Sequence, residues 1–140
     1  PHDNTVKFIA NMLKQLKENT PYIETTLGEQ ERAFIYIDDL IEAILKIIDY
    51  ESSKNLNEFV EYEIGPEQNT KIKDALLIMK KLTESKSEIK FGAIPYRKNE
   101  EMKSSCDNSK LKSIGWKQNT LTFEEGIKKI LKEEKNENIN

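Results

Sequence analysis

Glu31-Arg32-Ala33-Phe34-Ile35-Tyr36-Ile37-Asp38-Asp39-Leu40 sets an arginine at the mouth of a short apolar run that feeds through two aspartates into a helix. Ala33 to Ile37 are continuously apolar or aromatic and mostly β-prone, which predicts a strand buried on both faces. Asp38 or Asp39 is placed to cap the following helix, its carboxylate accepting from backbone N–H groups that lack a partner in the first turn. Such a strand-to-helix joint would hold Arg32 rigidly at one end, where it could grip a phosphate.

Outward from that stretch, arginine is rare. Of 22 basic residues only Arg32 and Arg97 are arginine and the rest are lysine. Lysine supplies charge and solubility, whereas the planar guanidinium adds a fork that holds a phosphate or carboxylate by two parallel hydrogen bonds. The plainer alternative is two surface arginines in a lysine-biased chain, each worth ~0–1 kcal/mol in an exposed pair.

At 140 residues the chain fits one domain. Its 36% hydrophobic and 34% charged residues make it leaner in core than a usual domain, with enough apolar side chains to fold. A net charge of −3 with interspersed signs offers no basic stripe and argues against a nucleic-acid partner. No apolar run approaches the ~20 residues that span a bilayer, which argues against a membrane. One cysteine, Cys106, excludes an internal disulfide and suits a reducing cytoplasm. An opening at Pro1 without methionine is what a processed or excised piece would have.

Along the chain, His2 to Leu16 predicts a helix capped by Asp3, Asn4 or Thr5, with Val6, Ile9, Leu13 and Leu16 on one face. Tyr22 to Leu27 alternates as a half-buried strand closed by Gly28. The helix Leu40 to Ile48 is apolar nearly all round and expects cover on more than one side, supplied by a sheet outside these residues. Asp49 to Glu58 reads as a polar loop and Phe59 to Ile64 as a strand ending at Gly65-Pro66. Asn69 or Thr70 should cap a helix carrying Ile72, Ala75, Leu76, Met79 and Leu82. Ile89 to Ile94, broken by Gly92, predicts a strand leading to Pro95-Tyr96-Arg97. Asp107 is placed to cap a short helix that ends at Gly115 in a left-handed turn, and Thr122-Phe123-Glu124-Glu125 is a capping box for the last helix. From Lys132 the polar tail should fray.

The catalytic inventory is poor. The single histidine, His2, sits at the chain end, and Cys106 reads as an inert, partly buried thiol. There is no G-x-G-x-x-G and no zinc-ligand spacing. Tyr50-Glu51-Ser52-Ser53-Lys54 matches Tyr-x-x-x-Lys, but the spacing falls in the expected loop, where the two side chains would not be neighbours. Adjacent Asp38 and Asp39 suit capping better than a shared metal ion. Trp116 after Gly115 reads as a packing anchor under the last helix.

Taken in series, Gly28, Arg32-Ala33-Phe34-Ile35-Tyr36-Ile37-Asp38-Asp39-Leu40-Ile41-Glu42-Ala43, Tyr62-Glu63-Ile64-Gly65, Tyr96-Arg97-Lys98-Asn99-Glu100, Asp107-Asn108-Ser109-Lys110-Leu111, Gly115-Trp116 and Thr122-Phe123-Glu124-Glu125-Gly126 resemble the C-terminal portion of extended short-chain dehydrogenases/reductases. The resemblance is to the NAD(P)-dependent sugar-nucleotide epimerases, dehydratases and reductases. Glu100 stands where many members have aspartate, and Lys98-Asn99 replaces the usual proline-glycine.

The resemblance implies an α/β fold of short mixed strands and about five helices, lacking most of the Rossmann sheet. Residues 1–131 would form the nucleotide-sugar lobe, including the last helix and strand of the Rossmann domain at about 38–65, and 132–140 the polar tail. By the same resemblance Arg32 and Arg97 would hold the substrate diphosphate, Thr26 and Leu27 would lie beside the nucleobase, and Ser104 would face the sugar. NAD or NADP would be bound by a missing N-terminal Rossmann domain. That domain and an NDP-sugar are the implied partners, and the family allows a homodimer of the full-length protein. Without the glycine-rich loop and the catalytic tyrosine and lysine, these residues alone should bind substrate and not turn it over. The competing reading is a non-catalytic binding module that kept this lobe.

Overall fold

A computed structural model describes residues 5–54 and 59–139. Five helices and four short strands follow in the order α1 (Thr5–Lys17), β1 (Tyr22–Thr25), β2 (Glu31–Arg32), α2 (Ile37–Ser52), β3 (Thr70–Lys71), α3 (Ile72–Thr83), β4 (Glu88–Phe91), α4 (Ser109–Ser113) and α5 (Phe123–Ile139). β1 pairs in parallel with β4, Ile23 opposite Ile89, and β2 pairs antiparallel with β3, Arg32 opposite Thr70. The capping candidates Asp3 and Asn4, the terminal His2 and residues 55–58 of the expected loop lie outside the described residues.

The helix α3 is central because its apolar residues share one stripe. Ile72, Ala75, Leu76 and Met79 recur at i, i+3, i+4 and i+7 and all four are buried. Leu13 and Leu16 of α1, Ile23 of β1 and Ile127 of α5 close over them. Burying each large aliphatic side chain contributes ~1.5–3 kcal/mol, so this cluster carries much of the fold's stability. A second cluster joins Ala43 of α2, Leu111 of α4 and Trp116. Trp116 therefore packs under α2 and not under the last helix, and its Nε1–H donates to the Asp39 carbonyl at 3.0 Å.

Several sequence expectations are corrected. Residues 33–37 and 59–64 form no strand. A strand needs a neighbour to complete its hydrogen bonds, and none of the described residues supplies one. Residues 33–36 are nonetheless a packed connector: Phe34 meets Phe123 with ring centroids 5.0 Å apart, Ile35 packs on the second cluster, and the Tyr36 hydroxyl donates to Glu133 at 2.6 Å. The helix after it starts at Ile37 with Tyr36 as cap residue and no side-chain cap, so neither Asp38 nor Asp39 caps it. Asp39, 1% exposed, instead accepts the backbone N–H groups of Asn119 at 2.8 Å and Thr120 at 2.9 Å.

Neither Asn69 nor Thr70 caps α3, because the chain passes straight from β3 into the helix. The first free donors find carbonyls of the β1–β2 loop: Ile72 N–H donates to Gln30 at 3.0 Å and Lys73 N–H to Gly28 at 2.9 Å. Gly28 has φ +76°, and a Cβ there would sit 2.8 Å from the Lys73 nitrogen, so this approach requires glycine. At the far end, α5 runs on to Ile139, past Lys132. Its strongly helix-forming lysines and glutamates are tied down from outside, Glu133 by Tyr36 and Glu134 by Lys17 of α1.

Other expectations hold. Glu125 N–H donates to Thr122 Oγ1 at 3.1 Å while Leu121 N–H reaches Glu125 Oε2 at 3.3 Å, a capping box shifted by one donor. Gly115 has φ +103°. The expected cap of α4 shifts by one: Asn108 is the cap residue, without a side-chain bond, and Asp107 stands before it, its Oδ1 accepting Ser109 N–H at 3.0 Å. The helix α2 buries Asp39 and Ala43 but leaves Ile37, Ile41, Ile44, Leu45 and Ile48 substantially exposed. Its apolar excess meets no cover among the described residues.

Candidate functional site

The expected site residues gather where three loops meet, at the ends of β1, β2 and β4. Arg32 is held in β2 by its pairing with β3, and residues 100–104 run alongside, Glu31 N–H donating to the Met102 carbonyl at 2.8 Å. The Arg32 guanidinium is already engaged. Its Nη1 donates to the Glu31 carbonyl at 2.8 Å and the Glu101 carbonyl at 2.7 Å, and its Nη2 to Glu100 Oε1 at 3.0 Å. Of five N–H donors three are committed, leaving the Nε–H and one Nη2–H.

Arg97 opens the turn that Glu100 closes. Glu100 N–H donates to the Arg97 carbonyl at 3.0 Å, and Asn99 between them has φ +66°. The two arginines thus stand one turn and one ion pair apart. The Arg97 side chain is exposed and has no hydrogen bond or ion pair among the described residues. Tyr96 fixes the turn from the other side, its hydroxyl accepting Glu29 N–H at 3.0 Å, while Ile94 N–H donates to the Thr25 carbonyl at 3.2 Å.

Thr26 and Leu27 sit on the adjoining loop with different prospects. The Thr26 hydroxyl accepts Gly28 N–H and Gln30 Nε2–H, both at 3.2 Å, and is consumed in shaping that loop. Leu27 is 55% exposed and lies against Gly92, where a Cβ would come within 3.0 Å of its Cδ2. Ser104 donates from Oγ to the Glu31 carbonyl at 3.4 Å, which places it beside Arg32. Below the cluster Glu29 pairs with Lys71 at 3.0 Å, and that hydrogen bond and charge hold its carboxyl below the usual range.

Sequence reasoning missed two contributors, Glu100 as the partner of Arg32 and Tyr96 as the tie to Glu29. Each bridges more than sixty positions, so no local pattern could announce it. A groove of about 1170 Å³ adjoins the cluster, lined by Glu31 and Ala33 on either side of Arg32 and by Leu13, Phe34, Tyr36 and Phe123 among others, and includes none of the five expected site residues.

The remaining candidates resolve simply. Tyr50 lies within α2, and Lys54 Nζ donates to its hydroxyl at 2.6 Å, so the pair are neighbours, contrary to expectation. Both are exposed, on the surface and outside the groove. Cys106 is half-buried beside Gly65, and burial first, then Glu63 and Asp107, push its thiol up, as suits an inert side chain. No group of three His, Cys, Asp or Glu among the described residues could hold a metal, and no described helix is long and apolar enough to cross a membrane.

The sequence and the fold have counterparts among known proteins. The model of the family described as GDP-mannose 4,6 dehydratase matches residues 1–130. This chain belongs to that family. Within it, CDP-abequose synthase of Salmonella typhimurium is 36% identical over 134 residues, covering 94% of this chain and 44% of that protein. Among solved structures, UDP-glucose 4-epimerase of Thermotoga maritima, determined with UDP-glucose, superposes with TM-score 0.69 at 27% identity, covering 86% of this chain and 37% of that one. UDP-glucuronic acid 4-epimerase of Bacillus cereus, in complex with UDP-glucuronic acid and NAD, shares the fold at TM-score 0.68 and 23% identity, over 86% of this chain and 37% of that one. The chain spans less than half the length of the curated relatives it matches.

Membership makes this a family of sugar-nucleotide epimerases and dehydratases of the extended short-chain dehydrogenase/reductase type. The dinucleotide that accompanies such structures has no cradle here. The glycines stand at 28, 65, 92, 115 and 126, too far apart for a turn that lets a pyrophosphate approach the backbone. The residues present do not fit NAD or NADP.

Proposed function

We propose that these residues are the C-terminal, substrate-holding part of an NAD(P)-dependent sugar-nucleotide epimerase, dehydratase or reductase. Arg97 and Arg32 take the diphosphate, Leu27 and the Thr26 backbone lie beside the nucleobase, and Ser104 faces the sugar. Thr26 contributes shape, because its hydroxyl is spent within the loop. The observation that supports this reading is the turn from Arg97 to Glu100, whose last residue pairs with Arg32 from a distant part of the chain. A diphosphate offers several acceptor oxygens, and each charge-assisted hydrogen bond to it is worth ~1.5–3 kcal/mol.

The dinucleotide, in this reading, is held by sequence outside the 140 residues, whose own domain covers the exposed Ile and Leu of α2. Hydride and proton transfer belong to that domain, and the present chain binds and orients. A cytoplasmic location accords with nucleotide-activated sugars as substrates.

The test is calorimetric titration of the chain with CDP-, UDP-, GDP- and dTDP-glucose, with NAD and NADP as controls. Sugar-nucleotide binding without dinucleotide binding is expected, and Arg97→Lys should weaken it roughly tenfold or more because a lysine cannot fork. Arg32→Lys and Arg97→Lys variants that both bind as tightly as the parent would refute the clamp.

A further inference from the structure

We propose that Glu133 of α5 is a positioning residue for the apolar face of α2, acting through Tyr36; the inference rests on the reading that a domain outside these residues covers that face. One side of the helix carries its ties. Tyr36, Asp39 and Glu42 recur every three residues, and Ala43 completes that side against Leu111 and Trp116. At 3.6 residues per turn, Ile37, Ile41, Ile44 and Ile48 fall about half a turn away, and all four are exposed. Because both sides belong to one hydrogen-bonded rod of 16 residues, whatever fixes the tied side aims the bare one.

The ties come from two elements. The 116–120 segment gives Asp39 two backbone N–H donors and Glu42 the Asn119 side-chain amide at 3.0 Å. From α5, Glu133 accepts the Tyr36 hydroxyl at 2.6 Å. Lys129 stands with Nζ 5.1 Å from the centre of the Tyr36 ring and donates to Thr120 Oγ1 at 2.6 Å, which joins α5 to the other element. Tyr36 is buried and extended, with φ −70° and ψ 142°, at the point where the connector becomes a helix. Residues 33–36 form no strand and α2 has no side-chain cap, so regular backbone pairing does not fix this junction. A hydroxyl-to-carboxylate bond is charge-assisted and directional, which suits it to set an angle. At the far end of α2 the Tyr62 hydroxyl donates to Glu51 at 2.6 Å, so a change at Tyr36 tilts the helix about that end. The substrate-holding loops and the dinucleotide lie on opposite sides of the joint that α2 makes. A misplacement of about 1 Å between bound reactants can cost about 10²-fold in rate, and the tilt of α2 governs that placement.

The experiment reads the orientation of α2 relative to α3 from residual dipolar couplings of the 140-residue chain, for the parent, Glu133→Ala, Tyr36→Phe, the double variant, Glu133→Gln and Lys17→Gln. Glu133→Ala and Tyr36→Phe should turn α2 in the same sense, and the double variant should add nothing, because each removes the same bond. Glu133→Gln keeps an acceptor and should return part of the way. Lys17→Gln unties α5 from α1 without touching Tyr36 and should leave the orientation as it is. A residue that only stabilises the chain would lower the unfolding midpoint and leave the folded orientation unchanged, so this readout separates the two roles. In the longer polypeptide, Leu45→Cys in a Cys106→Ser background reports the cover over α2. Maleimide should label it slowly, and about 2- to 10-fold faster once Glu133→Ala is added.

If the orientation is the same in every variant, the positioning role is overturned and the reading of a covered α2 stands or falls on the labelling alone. If α2 turns but Glu133→Ala leaves the slow labelling unchanged, the tilt does not reach the joint; the positioning role is overturned and the reading survives. If Leu45→Cys is labelled as fast in the longer polypeptide as in the 140-residue chain, the covering domain falls and takes the positioning role with it.

Discussion

Asp39→Asn is the most informative perturbation of this fold, because Asp39 and its neighbour Asp38 look alike in sequence and differ completely in place. Asp39 is buried, with one carboxylate oxygen on Asn119 N–H at 2.8 Å and the other on Thr120 N–H at 2.9 Å. Its own carbonyl accepts Trp116 Nε1–H, so one residue ties the 116–120 segment to the start of α2. Asparagine has the same shape but one acceptor oxygen. One backbone N–H would keep a neutral bond in place of a charge-assisted one, a loss of ~1 kcal/mol, and the other would face an NH₂ group, a buried unpaired donor costing ~1–3 kcal/mol. The sum is about 2–4 kcal/mol, a large share of the ~5–15 kcal/mol that stabilises a domain. Urea unfolding followed by circular dichroism, at constant m-value, measures it. Asp38→Asn, at an exposed position, should lie within about 0.5 kcal/mol of the parent. An Asp39→Asn variant within 1 kcal/mol of the parent would refute the latch.

Two further outcomes follow from close approach and from charge. Gly65→Ala would set a Cβ 2.4 Å from Cys106 Sγ and should cost ~1–3 kcal/mol in chemical denaturation, most of it recovered in Gly65→Ala/Cys106→Ala if the sulfur is the obstacle. Tyr36, donating to Glu133 and partly desolvated, has its phenol pushed up to about 12. A folded-state pKa above the unfolded value of 10 means the protonated form is favoured by folding, so the contribution is fully present below pH 10 and is lost as pH rises through about 12. Ultraviolet titration should therefore find a late-ionising phenol that disappears in Tyr36→Phe and moves toward pH 10 in Glu133→Gln; no change in either variant would refute the assignment.

What could be read from the sequence was what local chemistry decides. The α3 stripe, the left-handed turn at Gly115 and the Thr122 capping box depend on residues within one or two turns of each other, and all three form. Residues 33–37 and 59–64 have the composition of strands, but a strand exists only with a partner, and that is a property of the surrounding chain. Asp39 is a good cap by residue type; a stronger pair of donors, eighty positions away, claims its carboxylate. The same holds at the candidate site. The rarity of arginine singled out Arg32 and Arg97, whereas the pairing of Arg32 with Glu100 is a long-range fact that no spacing encodes. The continuation of α5 past Lys132 depends likewise on Tyr36 and Lys17.

The parallel pairing of β1 with β4 also bears on how the chain acquires its shape. Tyr22 and its partner Glu88 stand 66 positions apart, so the ladder must close a long stretch of chain before its first bond forms. The helix α3 lies inside that stretch, and its contacts from turn to turn need no such closure. Its turn-to-turn hydrogen bonds can thus form without waiting for the ladder, although 12 residues are marginal as a helix until the core packs on them. During synthesis β1 emerges well before its partner, and Ile23 has nothing to pair with until Ile89 has been made. Over that interval the emerging chain carries an unpaired strand, and translation speed between the two strands sets how long it does so.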